Sequence, residues 1–221
     1  MAASSQCTID LSNNFPYDTD TFGLVRSLAS CIKTCSSKFG VPAIAVAGSI
    51  ADEFNTRRGP RAAIDWVQDV AVISKLPNCL IVIDAYLGIP SKLLNATRND
   101  LGPGNINLAT AMEIYRRNVS SFPKWVTDWA DLADFLLTDQ GTVLVASLVI
   151  KKGMSDMALL LTGRTKAIQE AILVTYYKQG PAYVGRFMSR LKTDPAAELT
   201  PGEGCRVFHQ RATFSAALSV N

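Results

Sequence analysis

The sequence predicts a mainly helical protein organised around one buried helix. Three observations carry that prediction. Apolar residues recur at helical spacing through most of the 221 residues. Glycine and proline punctuate these segments at the points where helices end. One segment, residues 40–58, GVPAIAVAGSIADEFNTRR, is apolar on nearly every side, and a helix of that kind belongs inside a protein.

The central helix comes first because the others pack around it. Pro42 suits a first helical turn, where its missing N–H is no loss. Ile44, Ala47, Ala51 and Phe54 form one stripe, and Val46, Ile50 and Glu53 an adjacent one. Glu53 is thus expected on a buried face near the helix end, where desolvation favours its protonated form. The negative end of the helix dipole pushes the same way. Asp52, turned about 100° away, is expected to face solvent or cap a neighbour. An alternative stays open on the helix alone: a plain ion pair between Glu53 and Arg57, one turn on.

The remaining elements follow in order. Residues 1–20 are polar and turn-rich and read as a lead-in, with 21–221 as one domain. Asp20 or Thr21 is expected to cap a helix running to Phe39, and Gly40 to end it. A break at residues 57–60 precedes a helix over about 60–75, and an apolar run at 80–87 fits strand or helix equally. NDLGPGNIN, residues 99–107, is a glycine- and proline-rich turn feeding a helix over 108–118. Further helices are expected at 125–137, 142–152, 165–177 and 183–192, and ATFSAALSV near the end fits strand or helix.

Composition narrows the function. With 48% hydrophobic and 19% charged residues the chain has an ordinary core rather than a disordered composition. A net charge of +3 is mild, and no basic run with interleaved aromatics supports nucleic-acid binding. No apolar run approaches a membrane span. The start, MAASSQCTIDLSNN, has neither a basic region nor an apolar core of a signal peptide, so synthesis in the cytosol is expected. Five cysteines lack metal-ligand spacing, and Cys31 and Cys35, four apart, read as packing on a helix face. One histidine, His209, and no ligand cluster predict no metal and no cofactor. A Cys205–His209 hydrolase pair lacks any context that would activate the thiol.

Three pieces remain, in a fixed order: Glu53 late in a buried helix, GPGNINLATA at residues 102–111, and TYYKQGP at 175–181. The glycine turn lets a large polar ligand approach the backbone closely. Tyrosine faces and side-chain amides suit sugar rings and N-acetyl groups, which pair an apolar plane with a hydrogen-bonding edge. Together the pieces resemble the lysozyme-like superfamily, nearest goose-type lysozymes and soluble lytic transglycosylases. That family carries a catalytic glutamate at the end of a buried helix, then G-L-M-Q-I-x-P-x-T-A, then A-Y-N-x-G-P. Gly102, Ile106, Thr110 and Ala111 match the first motif in register, with Asn105 replacing its glutamine, and Tyr177, Gly180 and Pro181 match the second. The chain departs from the pattern in three further places. Phe54 follows the glutamate where serine is usual, Lys178 replaces asparagine, and the longer gap to Gly102 implies an inserted hairpin at about 60–90.

The resemblance implies a lysozyme-like helical domain that cleaves peptidoglycan strands between N-acetylmuramic acid and N-acetylglucosamine. Glu53 would be the general acid. Asp100 is the first choice for an assisting carboxylate, with Asp65 behind it, although Asp100 equally suits turn capping. Asn105 and Tyr177 would hold glycan or glutamate, with Tyr176 and Gln179 candidates by position; Tyr177 also fits a packed helix-end aromatic. Hydrolysis and lytic transglycosylation both remain open. A wall-cleaving enzyme without a signal peptide points to an antibacterial effector delivered into a target cell's periplasm, with a cognate immunity protein, or to a phage endolysin. Two competing readings are a catalytically inactive module that binds glycan or a partner, and a helical interaction domain.

Overall fold

The computed structural model describes Cys7, residues 16–56 and residues 100–220. The expected helix at 60–75, the apolar run at 80–87, the inserted hairpin at 60–90, Asp65 and Arg57 lie outside the described residues. What is described is mainly helical: ten α-helices, two short 3-10 turns and one two-stranded ladder. The chain divides into two units, residues 1–55 with 146–221, and residues 56–145.

In the first unit, α1 (Thr19–Phe39) starts two to three residues earlier than the sequence suggested, with Asp18 in the capping position. Thr21, expected as a cap, is buried, and its hydroxyl donates to Asn55 Oδ1 at 2.9 Å. Gly40 closes the helix at φ 66°, a left-handed geometry that suits a residue without Cβ. The central helix, α2 (Ala43–Thr56), begins directly after Pro42. Ala45, Val46, Ala47, Ile50 and Ala51 are wholly inaccessible, as an all-round apolar helix requires.

α5 (Asp139–Asp156) begins in the second unit and ends in the first, and it runs further at both ends than the expected 142–152. The first unit continues with α6 (Ala158–Leu161), α7 (Lys166–Gln179) and α8 (Pro181–Thr193). Thr165 caps α7, and Pro181 opens α8 where QGP was expected to interrupt the helix. A 3-10 turn (Gly202–Gly204) leads to α9 (Cys205–His209) and α10 (Arg211–Leu218), so ATFSAALSV is helical rather than extended.

Packing in this unit rests on small residues and a few buried polar ties. A Cβ on Gly48 would lie 2.7 Å from Val207 and 3.3 Å from Val174, so α2 sits tightly on α7 and α9. Tyr17, Phe22 and Phe214 meet edge to face with centroids 5.1–6.1 Å apart, joining α1 to α10. Arg211 pairs with Glu170, buried on α7, at 2.6 Å. Cys31 and Cys35 on α1 form no disulfide, consistent with packing rather than bridging. The 202–204 turn is fixed to α7 through Thr175, whose hydroxyl donates to Pro201 O and accepts from Gly204 N at 2.8 Å.

The second unit holds β1 (Asp100–Leu101) and β2 (Ile106–Asn107), paired antiparallel with Leu101 opposite Ile106. Gly102, at φ 67°, starts the connecting turn, and Asn105 N donates to Gly102 O at 3.0 Å. Asn107 then caps α3 (Leu108–Arg117), so the glycine turn does feed a helix. α4 is shorter than expected, Trp129–Leu136, because Asp128 caps it by accepting from Ala130 N and Asp131 N. Trp125 therefore lies before the helix, 52% exposed and edge-on to Phe135. Among the described residues, no single helix is long and apolar enough to cross a membrane.

The 202–204 turn offers a direct check of the packing. A Cβ on Gly204 would sit 1.8 Å from the carbonyl oxygen of Ala171. Gly204→Ala is expected to cost about 1–3 kcal/mol through forced backbone shifts, read as a lowered midpoint in chemical denaturation.

Candidate functional site

The far end of α2 carries two adjacent carboxylates with different surroundings. Asp52 has no solvent exposure, whereas the Glu53 side chain keeps 13%. This corrects the expectation that Asp52 faces solvent or caps a neighbour. The reason is simple: the face of α2 that carries Asp52 is covered by Tyr17, Lys178 and Arg206, so turning about 100° from Glu53 leads into protein rather than water.

A buried ionised carboxylate persists only when donors replace its water. Asp52 has three. Tyr17 donates its hydroxyl to Oδ1 at 2.6 Å. Arg206, from α9, binds as a fork, Nε to Oδ1 at 2.7 Å and Nη2 to Oδ2 at 2.8 Å. Lys178, near the end of α7, reaches Oδ2 at 2.5 Å. Burial pushes the Asp52 pKa up, but Arg206 and Lys178 outweigh it and hold the carboxyl below its ordinary value. Lys178 shows the complement: burial disfavours its charge, yet Asp52 and Glu53 leave its pKa raised. Burial, then the Asp52 charge, push the Tyr17 phenol well above its ordinary range, so it stays a donor.

Lys178 joins this anchor to two further carboxylates. Its Nζ lies 2.8 Å from Glu203 Oε2 and 3.9 Å from Glu53 Oε1. Glu203 comes from the 202–204 turn and its side chain is 40% exposed. Arg206 Nη2 also lies 3.9 Å from Glu203 Oε2. Among the described residues the cluster thus assembles three carboxylates and two cations at one end of α2.

Other residues singled out in the sequence separate into distinct roles. Glu53 and the end of the helix carrying Tyr177 do come together, through Lys178, and Tyr177 is half-buried. Tyr176 is only 1% exposed, and its hydroxyl donates to Asp156 at 2.5 Å, so it packs the core instead of presenting a face to sugar. Gln179, partly exposed, accepts from Arg186. Asp100 and Asn105 belong to the second unit, Asp100 paired across the ladder with Asn107 and Asn105 at φ 49° in the turn. Cys205 is buried, while His209 Nε2 lies 3.3 Å from Cys7 O. Among the described residues, no group of three or more His, Cys, Asp or Glu side chains is placed to hold a metal.

Sequence reasoning missed Tyr17, Glu203 and Arg206. Tyr17 sat in a segment read as a loose lead-in, yet it is buried and its N–H donates to Gln210 Oε1 at 2.9 Å. Glu203 had a faint signal, a glutamate flanked by glycines in PGEGC just before a helix. No family model, curated protein or solved structure matches the chain.

The anchor predicts a stability loss and its pH dependence. Asp52→Asn leaves Lys178 and Arg206 under-compensated and is expected to cost about 3–5 kcal/mol, measured by denaturant titration. A lowered folded pKa means the Asp52 contribution is complete above its unfolded value near 3.8 and lost as pH falls through the lower folded value. The wild type should therefore lose more stability than the Asn variant on acidification below that value.

Proposed function

We propose that this chain cleaves peptidoglycan glycan strands at the β-1,4 bond between N-acetylmuramic acid and N-acetylglucosamine, with Glu53 as general acid. One observation carries the reading: Glu53 emerges, 13% exposed, in the last turn of a buried helix, within 3.9 Å of Lys178 on the helix that bears Tyr177. Two of the three sequence pieces that resemble the lysozyme-like superfamily thus share one site.

The neighbouring anchor supports the same assignment. Lys178 lies closer to Asp52 and Glu203 than to Glu53, so Glu53 is the carboxylate it neutralises least. A carboxyl that is partly shielded from solvent can hold a proton and pass it to a leaving oxygen. Expulsion of the leaving strand through an oxocarbenium-like state then needs only a nucleophile, water or the sugar's own hydroxyl. Tyr177 remains the proposed glycan-holding residue beside Glu53. Delivery into the periplasm or wall of a target bacterium, as an antibacterial effector with an immunity protein or as an endolysin, completes the proposal.

A second reading has its own observation. Lys178 stands where the resembling family has asparagine, and its ammonium near Glu53 favours the ionised form, which cannot donate a proton. On that reading the chain binds glycan or a partner without cleaving it.

Glu53→Gln separates the two. The proposal expects wild type to clear purified sacculi and the variant to lose at least about 100-fold in rate, with a folding midpoint close to wild type. Binding to sacculi with no clearance by wild type would favour the second reading.

A further inference from the structure

We infer that Cys7 and Cys205 are a redox-active thiol pair, which closes to a disulfide in an oxidising medium and locks Cys7 onto the start of α9. The pair lies apart from the glycan-cleaving reading, which uses neither thiol.

The two thiols meet across nearly the whole chain of 221 residues. The Cys7 and Cys205 side chains hydrogen-bond to each other. Both residues are buried, Cys7 5% and Cys205 1% exposed. A second contact fixes Cys7 from the other end of α9, where His209 Nε2 lies 3.3 Å from Cys7 O. Cys205 opens α9 and Cys7 lies outside any helix, so the sulfurs can join without breaking a helical ladder.

A second hydrogen-bonded pair, on α1, cannot do the same. The bond from Cys31, helped by Lys38, lowers the Cys35 thiol to about 7 against the upward push of burial. These two residues lie one turn apart on one helix, where Cβ atoms stand about 5–6 Å apart. A disulfide needs about 3.5–4.5 Å between them. Closing that gap would unwind α1 beside Leu28 and Ile32, which are buried in the core. Cys35 is therefore expected to take up a mixed disulfide and stop there.

Closure needs a two-electron acceptor, and a low-molecular-weight disulfide supplies it. The hydrogen bond from Cys205 holds the Cys7 thiol below its ordinary value, so Cys7 is the attacking thiolate. It displaces one thiolate from the reagent and becomes a mixed disulfide. The Cys205 thiolate then attacks the Cys7 sulfur and releases the second reagent thiolate. One bond joins Cys7 to Cys205, one reagent S–S bond is broken, and two electrons and two protons end on two reagent thiols. Such a pair stays open where thiols are kept reduced and closes in an oxidising compartment. The cross-link constrains the unfolded chain over a very long loop. It also ties α9, which carries Arg206, to the segment preceding Tyr17, so oxidation reinforces the Asp52 anchor that those two residues share.

The test equilibrates the intact protein in mixtures of oxidised and reduced glutathione, quenches in acid, alkylates the remaining thiols and maps all five cysteines by mass without reduction. The expected product is a peptide linking Cys7 to Cys205, lighter by the hydrogens lost. At one denaturant concentration, oxidised wild type should show an unfolded fraction at least about 10-fold below that of reduced wild type. Cys7→Ser should show no dependence on the glutathione ratio. Both thiols still reduced in the most oxidising mixture, glutathione on Cys7 without closure, or linkage of either thiol to Cys31, Cys35 or Cys79 would overturn the inference. So would closure that leaves the unfolding curve unchanged. If Cys7→Ser fails to fold, the wild-type map and its two unfolding curves decide the matter alone.

Discussion

The placement of every group at this site depends on the burial of a single ionised carboxylate. Asp52 has no contact with solvent, and removing such a charge from water costs several kcal/mol unless donors replace the lost hydration. Its donors come from three distant points: Tyr17, Lys178 and Arg206 lie 35, 126 and 154 residues away in sequence. Satisfying Asp52 therefore pins the segment before α1, the end of α7 and the start of α9 onto the end of α2. Glu203 follows because it precedes Arg206 by less than one helical turn and shares Lys178.

That anchor divides labour between adjacent residues on one helix. Asp52 is held ionised and inaccessible, so it can orient cations but cannot exchange a proton with a ligand. Glu53 keeps a partial opening to solvent, and its contact with Lys178 is the longest of that lysine's three. On the proposed reading, such different surroundings separate a structural charge from a working acid. The lysine in the second motif fits this scheme as a bridge: it neutralises the anchor strongly and reaches the exposed carboxylates at longer or more exposed range. Thr175 and Gly204 add rigidity from below, holding the turn that carries Glu203.

Much of this was legible in the residues, and the failures have a common cause. Helical spacing located α1, α2, α3, α7 and α8, and Gly40 marked the end of α1 as expected, whereas the caps at Asn107 and Thr165 and the start of α8 at Pro181 came from the structure. Helix ends slipped where side-chain bonds moved them, as when Asp128 rather than Trp125 opened α4. The Asp52 error arose from treating a helical wheel as two-sided. The same run of apolar residues that predicted enclosure of α2 implied that Asp52 had nowhere solvated to point. Tyr17, Glu203 and Arg206 were invisible because their meaning lies in contacts across long sequence separations, which periodicity and local motifs do not encode. Tyr176, a candidate by position only, packs inward because its hydroxyl is held by Asp156 within the core.

The most direct measurement of the central claim is mass analysis of the new chain ends that the intact protein produces from purified sacculi. The account predicts soluble muropeptides whose new ends lie at N-acetylmuramic acid, either reducing or in the 1,6-anhydro form. Ends at N-acetylglucosamine, cleavage confined to the peptide stems, or no release above buffer would contradict it.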